Sequence, residues 1–154
     1  MEIRTTTLTS LKGAFGAFQQ DIEAIPEDAI SRSFGPQTRT VADIVYEVNM
    51  VTDDIGMVLR GETPEPWPEG GWVRAPADFN TKQVVLDAFI RSSQRFLAMA
   101  EAYSEADFER TVQTEHGERS RFQRCQFVAL HIWYHSGQLN YIQTLLGDDA
   151  MHWG

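Results

Sequence analysis

Ser120–Leu146, SRFQRCQFVALHIWYHSGQLNYIQTLL, has the pattern of one long helix that carries two imidazoles inward. Ser120 and Gln123 fit a capping box, in which hydroxyl and amide each satisfy a free backbone N–H at the helix start. Gly147 follows the last apolar residue, where a left-handed C-terminal cap is expected. Val128, His131, His135, Gln138, Ile142 and Leu145 recur at steps of three and four, which places them on one stripe of a helix. Polar members stand among apolar ones, so the histidines are expected to face the core. Gly137, between them, is expected to allow close helix packing. Trp133 and Tyr134 read as flanking aromatics of core or interface.

Two histidines at i and i+4 lie one above the other. Their rings can converge on one metal ion, at about 2.0–2.1 Å for zinc, with a third ligand from another helix. They can equally be a pair of core histidines hydrogen-bonded to neighbouring groups. The spacing alone leaves both open.

Length and composition set the frame. The 154 residues suggest a single domain, 1–154, with a sizeable core. The chain is 42% hydrophobic, 23% charged and 11% aromatic, which fits a globular protein and argues against disorder. Lys+Arg of 13 against Asp+Glu of 22 gives a formal charge of -9. That excess of acid repels phosphate backbones and anionic lipid, so neither nucleic acid nor membrane is expected as a partner. Cys125 is the only cysteine, so no internal disulfide forms, which fits a reducing cytoplasm. It reads as a small hydrophobe or surface thiol with no histidine placed to activate it. The start, MEIRTTTLTSLKG, lacks the apolar run of a signal peptide. No stretch approaches the ~20 apolar residues that span a bilayer.

In chain order, Leu8, Leu11, Phe15, Phe18, Ile22 and Ile25 mark a helix over Thr7–Ala24, ended by Pro26. A second starts behind Thr40, with Asp43 in its first turn and Ile44, Val48, Val51, Ile55 and Leu59 as its buried stripe. Glu47 flanks that stripe. Gly61 closes the helix. Gly61–Asn80, with four prolines and Trp67 and Trp72, has no rhythm. It is far longer than the usual connection of about 4–6 residues. It reads as a lid, as a crossover pinned by its tryptophans, or as both. A third helix starts near Asn80 with Gln83 completing a box. Val85, Phe89, Phe96, Met99 and Tyr103 form its seam, and Ser92 allows close approach. Ser104–Phe108 reads as a cap and short turn, and Arg110–Arg119 as a polar turn around Gly117. His116 there reads as a solvated surface residue. No stretch alternates convincingly as a strand. The fold class is therefore all-α, a four-helix bundle with a long crossover loop between helices 2 and 3.

At this point the residues carry a resemblance. HIWYHSGQLNYIQTLLG, His131–Gly147, resembles the last-helix signature of the DinB/YfiT-like superfamily, in which HxxxHxGQ precedes an apolar helix end. TVADIVYEV, Thr40–Val48, resembles that family's second helix, and HGERS, His116–Ser120, its short turn before the last helix. The resemblance implies a four-helix bundle holding a divalent metal through three histidines. Two map onto His131 and His135. The third falls at Glu47, where this sequence departs from the pattern.

Glutamate is a legitimate ligand beside two imidazoles. It lowers the net charge of the centre from +2 to +1, so bound water is polarised less and hard ions such as Mn²⁺ are better tolerated. Zn, Ni, Mn and Fe all remain compatible. The alternative role for Glu47 is a carboxylate bridging two core imidazoles without metal. Gln138 is placed to orient a ligand or substrate, or to make a helix–helix hydrogen bond. Trp67 and Trp72 are expected to shape a substrate pocket. His152 and Trp153 either trail as a loose tail or fold back over the site mouth.

The resemblance further implies a metal-dependent enzyme. A thiol transferase using a low-molecular-weight thiol, and a small-molecule hydrolase or isomerase, both fit, with the metal activating thiol or water. The alternatives are a non-catalytic metal- or ligand-binding stress-response bundle and a member that keeps only the fold. Exposed aromatic positions and the resemblance together suggest a homodimer.

Overall fold

The computed structural model describes residues 2–154. Four long helices form the body: α1 (Ile3–Ala24), α2 (Val41–Leu59), α3 (Lys82–Glu101) and α5 (Arg121–Leu145). A short helix α4 (Glu105–Glu109) and a hairpin, β1 (Thr111–Thr114) with β2 (Gly117–Ser120), lie between α3 and α5.

Local chemistry sets most boundaries. Thr40 and Asp43 cap α2 reciprocally, hydroxyl to Asp43 N–H and carboxylate to Thr40 N–H. Ser120 and Gln123 do the same for α5. Both helices end in a Schellman arrangement about a left-handed glycine, Gly61 at φ 80 and Gly147 at φ 86. There Glu62 N–H donates to the Met57 carbonyl and Asp148 N–H to the Gln143 carbonyl.

Three expectations shift. α3 is capped by Thr81, not Asn80, and Gln83 bonds Asp87 instead of completing a box. The 110–119 stretch is a two-stranded hairpin, Thr111 opposite Ser120, rather than a plain polar turn. Its β-branched Thr and Val favour extended backbone, and Gly117 at φ 90 follows the tip. The strands are too short for alternation to show in sequence.

α1 starts at Ile3, ahead of the expected Thr7. The Glu105 carboxylate accepts from the Ile3 and Arg4 N–H groups at 2.6 and 3.0 Å. Arg4 in return donates to the Glu101 and Tyr103 carbonyls at the end of α3. Each element thus caps another that is distant in sequence.

Contacts at the helix ends give the topology. The start of α1 meets the end of α3, so these two are antiparallel. Tyr103 Oη donates to the Leu59 carbonyl, and Ser92 Oγ to Asp53, so α2 and α3 run parallel. A parallel neighbour requires the 61–80 segment to return along the length of the bundle. It does so, and is fixed at the start of α2, where Asp43 accepts from Arg74 and from Ala75 N–H. The expected crossover is therefore present. α2 and α5 are antiparallel, with Arg39 beside Gln138.

The core is continuous through all four helices. Phe15, Phe18, Phe89 and Phe96 pack with ring centroids 5.1–6.2 Å apart. Burying a side chain such as Phe18 contributes about 1.5–3 kcal/mol. α5 is covered on two sides, because it packs against both α1 and α2. Cys125, Ala129, Ile132 and Ser136 are buried along with Val128, His135 and Ile142. Leu145, expected on the buried stripe, is half exposed, and the space around Gly137 is open rather than closely packed. Burial pushes the Cys125 thiol up to about 12, which leaves it inert at neutral pH.

Replacing Glu105 with alanine should cost about 1–2 kcal/mol, the typical cost of losing a helix cap. Urea unfolding measures this. A midpoint unchanged from the wild type would show that water caps α1 equally well.

Candidate metal centre

Glu47 lies in the first half of α2, and His131 and His135 lie about the middle of α5. Antiparallel packing of the two helices brings all three together. His135 is fully buried and Glu47 nearly so, while His131 keeps a partly exposed edge. Nε2 of His135 lies 3.0 Å from Nε2 of His131 and 3.3 Å from Glu47 Oε1, and the His131–Glu47 separation is 3.7 Å. Together the three offer ligand atoms all within 4.8 Å of one another.

Those separations suit an ion. Tetrahedral zinc with bonds of about 2.0–2.1 Å spaces its donor atoms about 3.3 Å apart. The observed values lie on both sides of that figure.

The surroundings fix which atoms are free. Arg39, just ahead of the α2 cap, donates through Nη2 to Gln138 Oε1 at 3.0 Å. Guanidinium only donates, so Gln138 must present its oxygen there. The same oxygen lies 2.8 Å from His135 Nδ1, which must then carry hydrogen and donate. The Nε2 lone pair of His135 is left pointing at the centre. Arg39 also pairs through Nη1 with Glu47 Oε2, leaving Oε1 turned to the histidines. His131 is oriented differently. Its Nδ1 is buried without a partner, and its ring stacks on Phe127 at 6.0 Å and 17°.

Burial pushes both imidazoles down to about 4, His131 further disfavoured by the His135 charge and supported by Glu47. Gln138 acts against the shift at His135, and Arg39 adds to it. Both rings are neutral at pH 7, the form in which imidazole binds metal.

Of the other residues singled out in the sequence, Gln138 reaches the centre through His135. Trp72 stacks on Arg39, guanidinium carbon 4.5 Å from the ring centroid, and so covers the arginine rather than the histidines. Trp67 lines a separate cleft of about 840 Å³. Glu47, His131 and His135 do not line that cleft, but Val51 and Phe127, each one turn along, do.

His152 and Trp153 are not at the mouth of the site. The tail folds back, but onto α1, where Trp153 Nε1 donates to Asp21 at 2.8 Å and its ring packs on Trp133 at 5.3 Å. Trp133 lies about 200° around α5 from His131, on the far face. Buried Asp21 draws the tail because Ser136 and Asn140 alone leave its carboxylate short of donors. Its pKa is nevertheless raised, since desolvation outweighs these bonds.

Sequence reasoning missed Arg39 and Phe127. Arg39 falls in what reads as a connection. Phe127 falls off the expected stripe, though its i, i+4 spacing to His131 was there to be seen.

Residues 10–139 match the DinB superfamily. The chain belongs to that superfamily. No curated protein matches it. Among solved structures, a conserved protein from Enterococcus faecalis superposes with TM-score 0.72 at 15% identity, covering 96% of this chain and 99% of that one. A DinB-like protein from Bacillus cereus gives TM-score 0.69 at 12% identity, covering 92% and 91%. The colibactin self-resistance protein ClbS gives TM-score 0.68 at 17% identity, covering 92% and 95%.

ClbS was crystallised in complex with double-stranded DNA. This corrects the exclusion of nucleic acid drawn from net charge. Total charge sums the whole surface, whereas phosphate contact depends on a local patch. Among the described residues no helix is long and apolar enough to cross a membrane.

The histidine shifts carry a sign. In the unfolded chain each ring takes up a proton near 6.5, and in the fold only near 4. Stability from these groups is present above 6.5 and is lost as pH falls towards 4. Chelator-treated protein should therefore melt at progressively lower temperature across that window. A His131→Gln, His135→Gln variant should lose less there. Parallel curves for the two proteins would contradict the assignment.

Proposed function

We propose that the chain is a divalent-metal-dependent enzyme acting on a small molecule, with the ion held by Glu47 Oε1, His131 Nε2 and His135 Nε2. The observation that carries this reading is the convergence of two imidazoles and a carboxylate on one point, two of the three oriented by a buried arginine that is not itself a ligand. Two imidazoles and a carboxylate suit zinc or non-haem iron, and also manganese or nickel. A divalent ion in such a site lowers the pKa of a bound thiol or water and so supplies a nucleophile at neutral pH. Thiol transfer and hydrolysis both follow from that chemistry.

The protein's own groups perform the remaining tasks. Gln138 holds His135 in the tautomer that frees Nε2. Arg39 neutralises the charge that Glu47 brings and fixes which oxygen is free. Phe127 keeps the His131 ring in plane from its outer side. Val51 and Phe127 join the centre to the cleft from which a substrate would approach.

A second reading, a binder without turnover, is favoured by one observation. The side chains bonded or stacked against the three donors are Arg39, Gln138, Phe127 and Tyr134, and none is an independent general base.

Metal analysis of purified protein should find about one ion per chain. His131→Ala or His135→Ala should abolish stoichiometric binding, and Glu47→Gln, which removes a charged ligand, should weaken it by more than the ~10–100-fold typical of losing a group that only supports a ligand. Metal-free protein that shows no thermal shift with Zn²⁺, Ni²⁺ or Mn²⁺ would remove the metal reading. Turnover in a thiol-conjugation and ester-hydrolysis panel, present with metal and absent after chelation, separates enzyme from binder. Duplex DNA belongs in the binding panel, because ClbS was crystallised with it.

A further inference from the structure

The cleft beside the triad contains a cation that the protein leaves unsatisfied. Arg124 lines it, and the buried Nε–H of Arg124 has no hydrogen-bond partner. Among the described residues no carboxylate forms an ion pair with this guanidinium. Its carbon lies 5.3 Å from the Phe127 ring centroid, so the group is held in place by stacking. Burial lowers its pKa from the ordinary arginine value, and Glu115 acts in the opposite direction. A partly desolvated guanidinium that is held by stacking and has no carboxylate partner is a receptor for a planar carboxylate.

Its placement gives a measure of length. Arg124, Phe127 and His131 follow one another along the same side of α5. Arg124 precedes His131 by two helical turns, about 10.5 Å along the axis. Val51, Ile55 and Trp67 supply apolar wall in the cleft between. Asp54, Glu62, Glu65 and Glu115 line the same space. These acids oppose any anion away from Arg124 and oppose a dianion such as phosphate more than a monoanion, so a bound acid must seat its single charge directly on the guanidinium.

We propose that Arg124 anchors the carboxylate of a small monoanionic acid whose apolar body lies along Phe127 and whose far end reaches the Glu47–His131–His135 centre. This rests on the metal-enzyme reading for the far end only. The carboxylate anchor stands on the cleft itself.

The test uses full-length, metal-free protein and two probes, 4-phenylbutyrate and its neutral amide 4-phenylbutyramide, followed by tryptophan fluorescence and calorimetry. The acid should bind at least tenfold more tightly than the amide. Arg124→Gln should erase that preference, and Arg124→Lys should keep part of it. Both variants should bind Co²⁺ as the wild type does. No binding of the acid, equal binding of acid and amide, or a preference that survives in Arg124→Gln would overturn the proposal. If Arg124→Gln does not fold, Arg124→Lys decides: an undiminished preference overturns the anchor, because a point charge cannot replace a bidentate fork without loss. Failure of Co²⁺ to bind wild-type protein would sink the metal reading and leave the anchor measurement unaffected.

Discussion

The centre depends on one buried side chain outside it. Arg39 binds Glu47 with one nitrogen and Gln138 with another, and is itself nearly inaccessible, with its side chain 7% exposed. A buried charge is costly unless paired and hydrogen-bonded. Arg39 and Glu47 satisfy that condition for each other. The consequence is directional. Because guanidinium only donates, both of its partners must turn oxygen towards it, and the tautomer of His135 follows without further choice. One residue thereby sets the orientation of two of the three donors.

The same arginine bears on the charge that Glu47 brings to the centre. A carboxylate in place of imidazole makes an ion site more negative by one charge. Arg39 adds one positive charge on the opposite oxygen of that carboxylate. The pair is neutral as a unit, so the electrostatic setting of the centre stays close to that of three neutral ligands. Arg39 and Glu47 lie eight positions apart, with the capping Thr40 between them. The cap matters for this reason: it fixes the direction in which the chain enters α2, and so the point from which Arg39 can reach both helices.

Much of this was legible in the sequence, and the limits are physical. Capping boxes at Thr40 and Ser120 and left-handed glycines at 61 and 147 are local, and local chemistry decides them. Helical spacing made the inward face of His131 and His135 readable, whereas Glu47 only flanked its stripe and was singled out as their companion through the family resemblance. The early start of α1 was not readable, since its cap is Glu105 from across the bundle. Nor was the tail. Trp153 is placed by a buried carboxylate in need of a donor, and only the assembled core shows that Asp21 is buried. Net charge misled for the same reason, being a sum with no positions in it.

Asp43 shows how the loop and the centre are coupled. Its carboxylate caps α2 through Thr40 and also holds Arg74 and Ala75 of the crossover. These bonds keep its pKa below the usual carboxylate range against the opposing effect of burial. Departure of the crossover from the start of α2 would therefore take two donors from the carboxylate that caps the helix carrying Glu47. Trp72, on the same stretch, lies against Arg39. The long segment is thus tied to the centre twice, once through the helix cap and once through the arginine that orients the donors. A displacement of the crossover would reach Glu47 and His135 through those two ties.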